Sequence, residues 1–149
     1  RMRLTEIELR RVPNIDSGET LEEAARALRA VHHPVLPVVE KGCPIGTLSE
    51  NELESSDRSA AITSESLCVA DVCRRDSLVC SKSTSLKTAL RLMRQHAHDR
   101  LLVTEQDGSL AGMITPMELL DLLLERLPEQ SAGPEMASVH RIRGNQEVT

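Results

Sequence analysis

The chain contains no phenylalanine, tyrosine or tryptophan among its 149 residues. Any core must be built from Leu, Val, Ile, Ala and Met, and the 40% hydrophobic content is enough for one. An aromatic platform for stacking bases is excluded, and with it the usual mode of single-stranded nucleic-acid binding. Positive charge is in deficit: 18 Lys and Arg against 23 Asp and Glu leave a net charge of −5. That balance does not suit a binder of phosphate backbones. No apolar run approaches the ~20 residues of a membrane-spanning helix, and no signal-peptide pattern is visible. Cys43, Cys68, Cys73 and Cys80 form no C-x-x-C pair. They read as reduced thiols of a cytoplasmic protein. No Ser/His/Asp or Cys/His arrangement and no glycine-rich phosphate loop is present, so no enzymatic activity is expected. The opening Arg1-Met2 reads as the start of an excised piece.

What the chain does have is internal duplication. Gly46-Thr47-Leu48-Ser49-Glu50-Asn51-Glu52-Leu53 and Gly112-Met113-Ile114-Thr115-Pro116-Met117-Glu118-Leu119 share one pattern, 66 residues apart. Each is a glycine, an apolar run, a hydroxyl residue, two spacers, Glu and Leu. Upstream the offset is 65: Leu21, Ala24, Ala25 and Leu28 match Leu86, Ala89, Leu90 and Met93, and His33 matches His98. Leu36 to Glu40 match Leu101 to Glu105 at the same offset. The inserted residue falls between Lys41-Gly42 and Gln106-Asp107-Gly108, which read as hairpin turns. A repeat of this size implies two copies of one folding unit.

Each half reads as strand, helix, strand, strand, helix. The first helices have apolar residues at i, i+3, i+4 and i+7, and Thr20-Leu21-Glu22-Glu23 forms a capping box at the first of them. Strand pairs are predicted over Val35 to Val39 with Ile45 to Leu48, and Leu101 to Thr104 with Leu110 to Ile114. Shorter edge strands belong near Val12 to Ile15 and Leu78 to Cys80. The Ser-rich, charged stretch from Glu54 to Ser66 joins the halves, and Val69-Ala70-Asp71-Val72-Cys73 reads as a helical turn leading into the second. The division expected is a lead-in over 1–11, repeats over 12–58 and 67–127, a linker over 59–66 and a tail over 128–149. The tail reads as flexible by composition, with an edge strand conceivable over Ser138 to Arg143.

In order and duplication, these features resemble a tandem pair of cystathionine-β-synthase (CBS) domains, a Bateman module, from roughly Val12 to Leu127. The resemblance implies an α/β (α+β) fold of two β-α-β-β-α repeats packed about a pseudo-two-fold axis, with two clefts between them. It implies a regulatory module, not a catalyst. The ligand would be AMP, ADP, ATP or S-adenosylmethionine, with no required cofactor. It also implies a homodimer formed through the helices and an attached or partner enzyme or transporter. A ligand-free dimerisation or scaffold module is the alternative.

The resemblance places Ser49 and Thr115 on phosphate or ribose. Glu52 and Glu118 take the position of an Asp that holds ribose hydroxyls, though Glu is one methylene longer. The free N–H groups at the following helix start suit an anion. The same residues also read as S/T-x-x-E capping boxes, the second with Pro at N1, and a Glu folded onto its own cap is not free for ribose. Arg100, aligned with Val35, can contact phosphate, which favours the cleft closed by Thr115 and Glu118. His33 and His98 are candidate ligand contacts or caps of helix carbonyls. Ile15 with Asp16 and Cys80 with Ser81 end the edge strands, where the resemblance implies adenine walls. Leu48 and Ile114 would flank the base. His32, His96 and the cysteines lack zinc spacing, so no metal is expected. The last helix, with Leu119, Leu120, Leu122, Leu123, Leu124 and Leu127, carries more apolar surface than one buried stripe needs. Part of it should meet another chain or a parent domain.

Overall fold

The computed structural model describes residues 2–7, 9, 12–31, 34–58 and 67–127. After a 3-10 turn at Leu4–Glu6, the first repeat runs β1 (Ile15–Asp16), α1 (Leu21–Val31), β2 (Val35–Glu40), β3 (Cys43–Ser49) and α2 (Glu50–Arg58). A short helix α3 (Val69–Val72) precedes β4 (Leu78–Ser81), α4 (Leu86–His96), β5 (Leu101–Thr104), β6 (Leu110–Ile114) and α5 (Pro116–Arg126). The strand and helix expectations hold in both halves, except that the first edge strand lies at Ile15–Asp16, displaced from the Val12 to Ile15 expected. The stretch expected as a connector from Glu54 is helical as far as Arg58, because α2 continues through it. His32, His33, most of the linker and the tail, including Ser138 to Arg143, lie outside the described residues.

Each repeat forms a three-stranded sheet, ordered β1-β2-β3 and β4-β5-β6, with the first pair parallel and the second antiparallel. Both hairpins carry a register shift, between Val38 and Val39 and between Val103 and Thr104. Lys41 and Gly42 both have positive φ (52° and 83°), the conformation a two-residue I′ hairpin requires. The second turn holds Gly108 at φ 90°. The two hairpin tips meet, since the Leu110 N–H donates to the Gly42 carbonyl at 2.8 Å.

Alternation along the strands explains the layering. Leu36 and Val38 point into one aliphatic core with Ile15, Ala24, Leu28 and Leu48. Leu101 and Val103 point into a second with Leu86, Ala89, Met93, Ile114 and Leu119. The intervening Pro37, Val39, Leu102 and Met113 are buried as well but belong to neither core. They lie on the strand faces turned away from the cores, and the two sheets approach each other where β3 meets β5.

The cores exchange their lids. Val69, fully buried, and Val72 of α3 complete the first core, although α3 stands at the entrance of the second repeat. Leu4 and Ile7 complete the second core, although they open the chain. The Val69 N–H bonds the Glu19 carbonyl at 2.9 Å, and the Leu4 N–H bonds the Thr84 carbonyl at 2.9 Å. Leu4, Glu6 and Ile7 stand 65 positions before Val69, Asp71 and Val72, so the duplication extends to these straps.

Candidate functional site

The exchange of straps brings a third segment against the first sheet. Thr47 and Arg74 pair as an isolated antiparallel bridge, with N–H to carbonyl distances of 2.9 and 2.8 Å in the two directions. Gly46 makes this approach feasible: a Cβ there would collide with the Arg74 carbonyl. Arg74, Asp76 and Ser77 are thereby carried to the end of β3, beside the start of α2.

A cleft of about 620 Å³ opens there. The first repeat contributes Pro34, Val35, Thr47, Ser49, Asn51 and Glu52. Arg74, Asp76 and Ser77 form another wall, and His96 to Arg100 with Leu102 close it from the second repeat. His98 and Arg100 are positioned by the end of α4. Ala97 adopts the left-handed conformation (φ 54°, ψ 35°) as its C-cap, and the His98 N–H donates to the Met93 carbonyl at 3.0 Å. His98 therefore follows a helix terminus, as the capping interpretation anticipated, but through its backbone N–H.

The charges in the cleft are largely paired. Arg74 grips Asp76 with Nε at 2.7 Å and Nη2 at 3.1 Å, which holds the Asp76 carboxyl below the ordinary carboxylate range. Arg100 Nη1 lies 2.8 Å from Asp99 Oδ2. Both pairs have an exposed member, and such pairs contribute only about 0–1 kcal/mol. Either arginine can exchange its carboxylate for another anion at small cost.

Ser49 and Glu52 form the capping arrangement. Glu52 Oε1 accepts from the Ser49 N–H at 2.7 Å and from Ser49 Oγ at 2.8 Å. In the second repeat Thr115 Oγ1 accepts from the Glu118 N–H at 3.2 Å and donates to Glu118 Oε1 at 3.1 Å. Thr20 Oγ1 likewise accepts from the Glu23 N–H at 3.1 Å.

The structure thus brings Ser49, Glu52, His98 and Arg100 to one cleft. This corrects the allocation of Arg100 to the Thr115–Glu118 side alone. This cleft lies on the seam, so the start of β5 faces the end of β3, which sequence alignment of the repeats does not reveal. Thr115 and Glu118 do not line the described cleft, and His33 lies outside the described residues. Ile15, Leu48 and Ile114, expected as adenine walls, are core residues at 0, 0 and 2% exposure. Inward-pointing strand positions leave nothing for a ligand to touch. Cys80 is half-buried against the second core. Asp16 Oδ2 accepts from the Gly18 N–H at 3.0 Å, and Ser81 Oγ meets Ser83 Oγ at 2.6 Å, so both serve turns. The aliphatic walls of the cleft are instead Pro34, Val35 and Leu102. Sequence reasoning missed these, together with Arg74, Asp76 and Ser77. No disulfide joins the four cysteines, and burial pushes the Cys73 and Cys80 thiols up, away from the reactive thiolate.

The fold is a pair of β-α-β-β-α repeats joined along a seam, and the comparisons agree on that architecture. The sequence matches the CBS domain family over residues 4–55 and 69–125. The chain belongs to the CBS domain family. It is 25% identical over 128 residues to the CBS domain-containing protein YhcV of Bacillus subtilis, covering 86% of this chain and 88% of that protein. It is 23% identical to the uncharacterized protein MJ1232 of Methanocaldococcus jannaschii, of which it spans only 42% while 86% of this chain is covered. Among solved structures it resembles CBSX2, a CBS-pair protein of Arabidopsis thaliana whose complex with AMP has been determined. The TM-score is 0.68 at 22% identity, covering 83% of this chain and 97% of that one. No helix among the described residues is long and apolar enough to cross a membrane.

Proposed function

We propose that the chain is a non-catalytic regulatory module that senses an adenosine-containing ligand in the cleft between its repeats. AMP, ADP, ATP and S-adenosylmethionine are the candidates. The observation that carries this reading is the composition of the 620 Å³ cleft, which draws its walls from both repeats. Its size falls in the range of small-molecule sites, roughly 300–1,000 Å³. The base would lie between the aliphatic Pro34, Val35 and Leu102. A phosphate or carboxylate would meet Arg100, Arg74 and the N–H groups at the start of α2. Ser49 Oγ would turn from Glu52 toward the ligand. A ligand touching both walls binds best to one arrangement of the repeats, and it biases an attached or partner enzyme or transporter by that difference in affinity. The AMP complex of CBSX2 supports the choice of an adenosine ligand.

A second reading, a scaffold that binds nothing in the cleft, is favoured by one observation. Glu52 is already satisfied by Ser49, and both arginines are already paired. Thermal melts decide between them. A ligand at about 100 times its dissociation constant stabilises the folded chain by roughly 2.7 kcal/mol. The sensing reading expects a rise with at least one of AMP, ATP or S-adenosylmethionine, diminished in Arg100→Ala and Ser49→Ala. No shift with any of them at millimolar concentration leaves the scaffold.

A further inference from the structure

The wall of the cleft formed by Arg74 and Asp76 is not part of the duplicated plan. Leu9 and Arg11 stand 65 positions earlier, so the other strap carries no equivalent pair. Arg74 Nε and Nη2 lie 2.7 and 3.1 Å from the two carboxylate oxygens of Asp76, and Nη1 has no partner among the described residues. The side chains are 64 and 58% exposed, and exposed pairs stabilise a fold very little. The strap is already held by the Thr47–Arg74 backbone bridge and by Val69 in the first core. The side-chain pair is therefore free to serve the cleft that it lines.

Its position there is central. Asp76 foremost, then Glu52 of the first repeat and Asp99 of the second, raise Arg74 above its ordinary value. The charged lining sets two arginines, Arg74 and Arg100, against three carboxylates, Glu52, Asp76 and Asp99. The two arginines are not held alike. Arg100 meets Asp99 through one contact of 2.8 Å, and Asp99 is 80% exposed. Arg74 and Asp76 form a two-bond fork, which is the stronger and more directional arrangement. An anion entering the cleft displaces Asp99 into solvent and meets Arg74 with Asp76 still attached.

We propose that Asp76 is the specificity-determining residue of the cleft and sets how many phosphates its ligand carries. The inference rests on the sensing reading and narrows it. Arg74, through its free Nη1, and Arg100 together receive one phosphate. A second and a third must lie alongside the carboxylates of Asp76 and Glu52, where like charge works against them. A monophosphate is accepted and a triphosphate is rejected. Asp76 acts twice: it fixes the guanidinium that binds the first phosphate, and it repels those that follow. Asp99 does neither once it has swung out.

Isothermal titration calorimetry of the full chain with AMP and with ATP, in magnesium-free buffer, tests it. The parent chain is expected to bind AMP more tightly than ATP by about tenfold or more. Asp76→Asn should shrink that ratio by about fivefold or more, Asp76→Glu should keep most of it, and Asp99→Asn should change it by less than about twofold. Arg74→Ala should weaken AMP by about tenfold. Circular dichroism confirms that each variant is folded. A parent chain that binds the two nucleotides equally, or ATP more tightly, overturns the proposal and leaves the sensing reading standing. So does a ratio that Asp76→Asn leaves unchanged. A ratio that Asp99→Asn shrinks as far as Asp76→Asn also overturns it, since net charge alone then sets the preference. A parent chain that binds neither nucleotide overturns it as well, and titration with S-adenosylmethionine then shows whether the sensing reading falls with it.

Discussion

In the first repeat the carboxylate of the closing motif accepts two hydrogen bonds from its capping serine; in the second it accepts one from its threonine, whose hydroxyl also takes the Glu118 N–H. Glu52 takes both the N–H and the hydroxyl of Ser49, at 2.7 and 2.8 Å, whereas Glu118 takes the hydroxyl of Thr115 alone, at 3.1 Å. The straps differ in the same direction. On the first core, α3 is capped by Asp71, whose Oδ2 accepts from the Cys68 N–H at 2.9 Å. On the second, the Leu4–Glu6 turn has no side-chain cap, although Glu6 stands where Asp71 does. One backbone plan has been closed by different side-chain bonds in its two copies. Duplication fixes where elements fall, and local side-chain bonding then separates the copies.

The largest effect should come from the close approach at Gly46. Gly46→Val drives a side chain into the Arg74 carbonyl and breaks the Thr47–Arg74 bridge. Overpacking of this kind costs about 1–3 kcal/mol, and the loss of two backbone bonds adds to it. Urea unfolding measures the cost. A loss under about 1 kcal/mol would mean that the strap shifts freely and that the cleft wall is not fixed.

Removing the two caps tests the asymmetry itself. Glu52→Ala leaves the Ser49 N–H without its partner and should cost about 2 kcal/mol, while Glu118→Ala should cost about 1 kcal/mol, judged from the number and length of the charged bonds lost. Equal losses in paired chemical melts would erase the distinction. The comparison also bears on ligand binding, since a carboxylate held twice is less available to a ribose than one held once.

Much of this architecture was legible in the sequence. The apolar runs at Val35 and Leu101, the Lys41-Gly42 turn and the S/T-x-x-E boxes are local signals, and each produced the element it predicted. What stayed hidden was non-local. Val69 and Leu4 pack on the repeat they do not belong to, because a short apolar strap is drawn to whichever core it can close. Arg74 reaches the cleft only through its bridge to Thr47. Arg100 faces the end of β3 because β5 lies against β3 across the seam, an arrangement that no spacing along the chain encodes. Ile15 and Ile114 had the right character for a ligand wall, and the same character takes them into the cores.

The smallest effect concerns acid. The Cys68 N–H, and then its side chain, hold the Asp71 carboxyl below its ordinary value. A carboxyl depressed in the folded chain stabilises it above the unfolded value, near 3.9, and loses that contribution as pH falls through the lower folded value. Acid should therefore loosen α3 from the first core below about pH 4. Asp76 and Asp107 are depressed by Arg74 and by the Ser109 hydroxyl, and they act in the same sense. Asp71→Asn should flatten part of the fall in melting temperature between pH 5 and pH 2.5, followed by thermal melts. If the variant flattens none of the fall, the Asp71 cap does not hold α3 in place, and the closure of the first core must come from the packing of Val69 and Val72 alone.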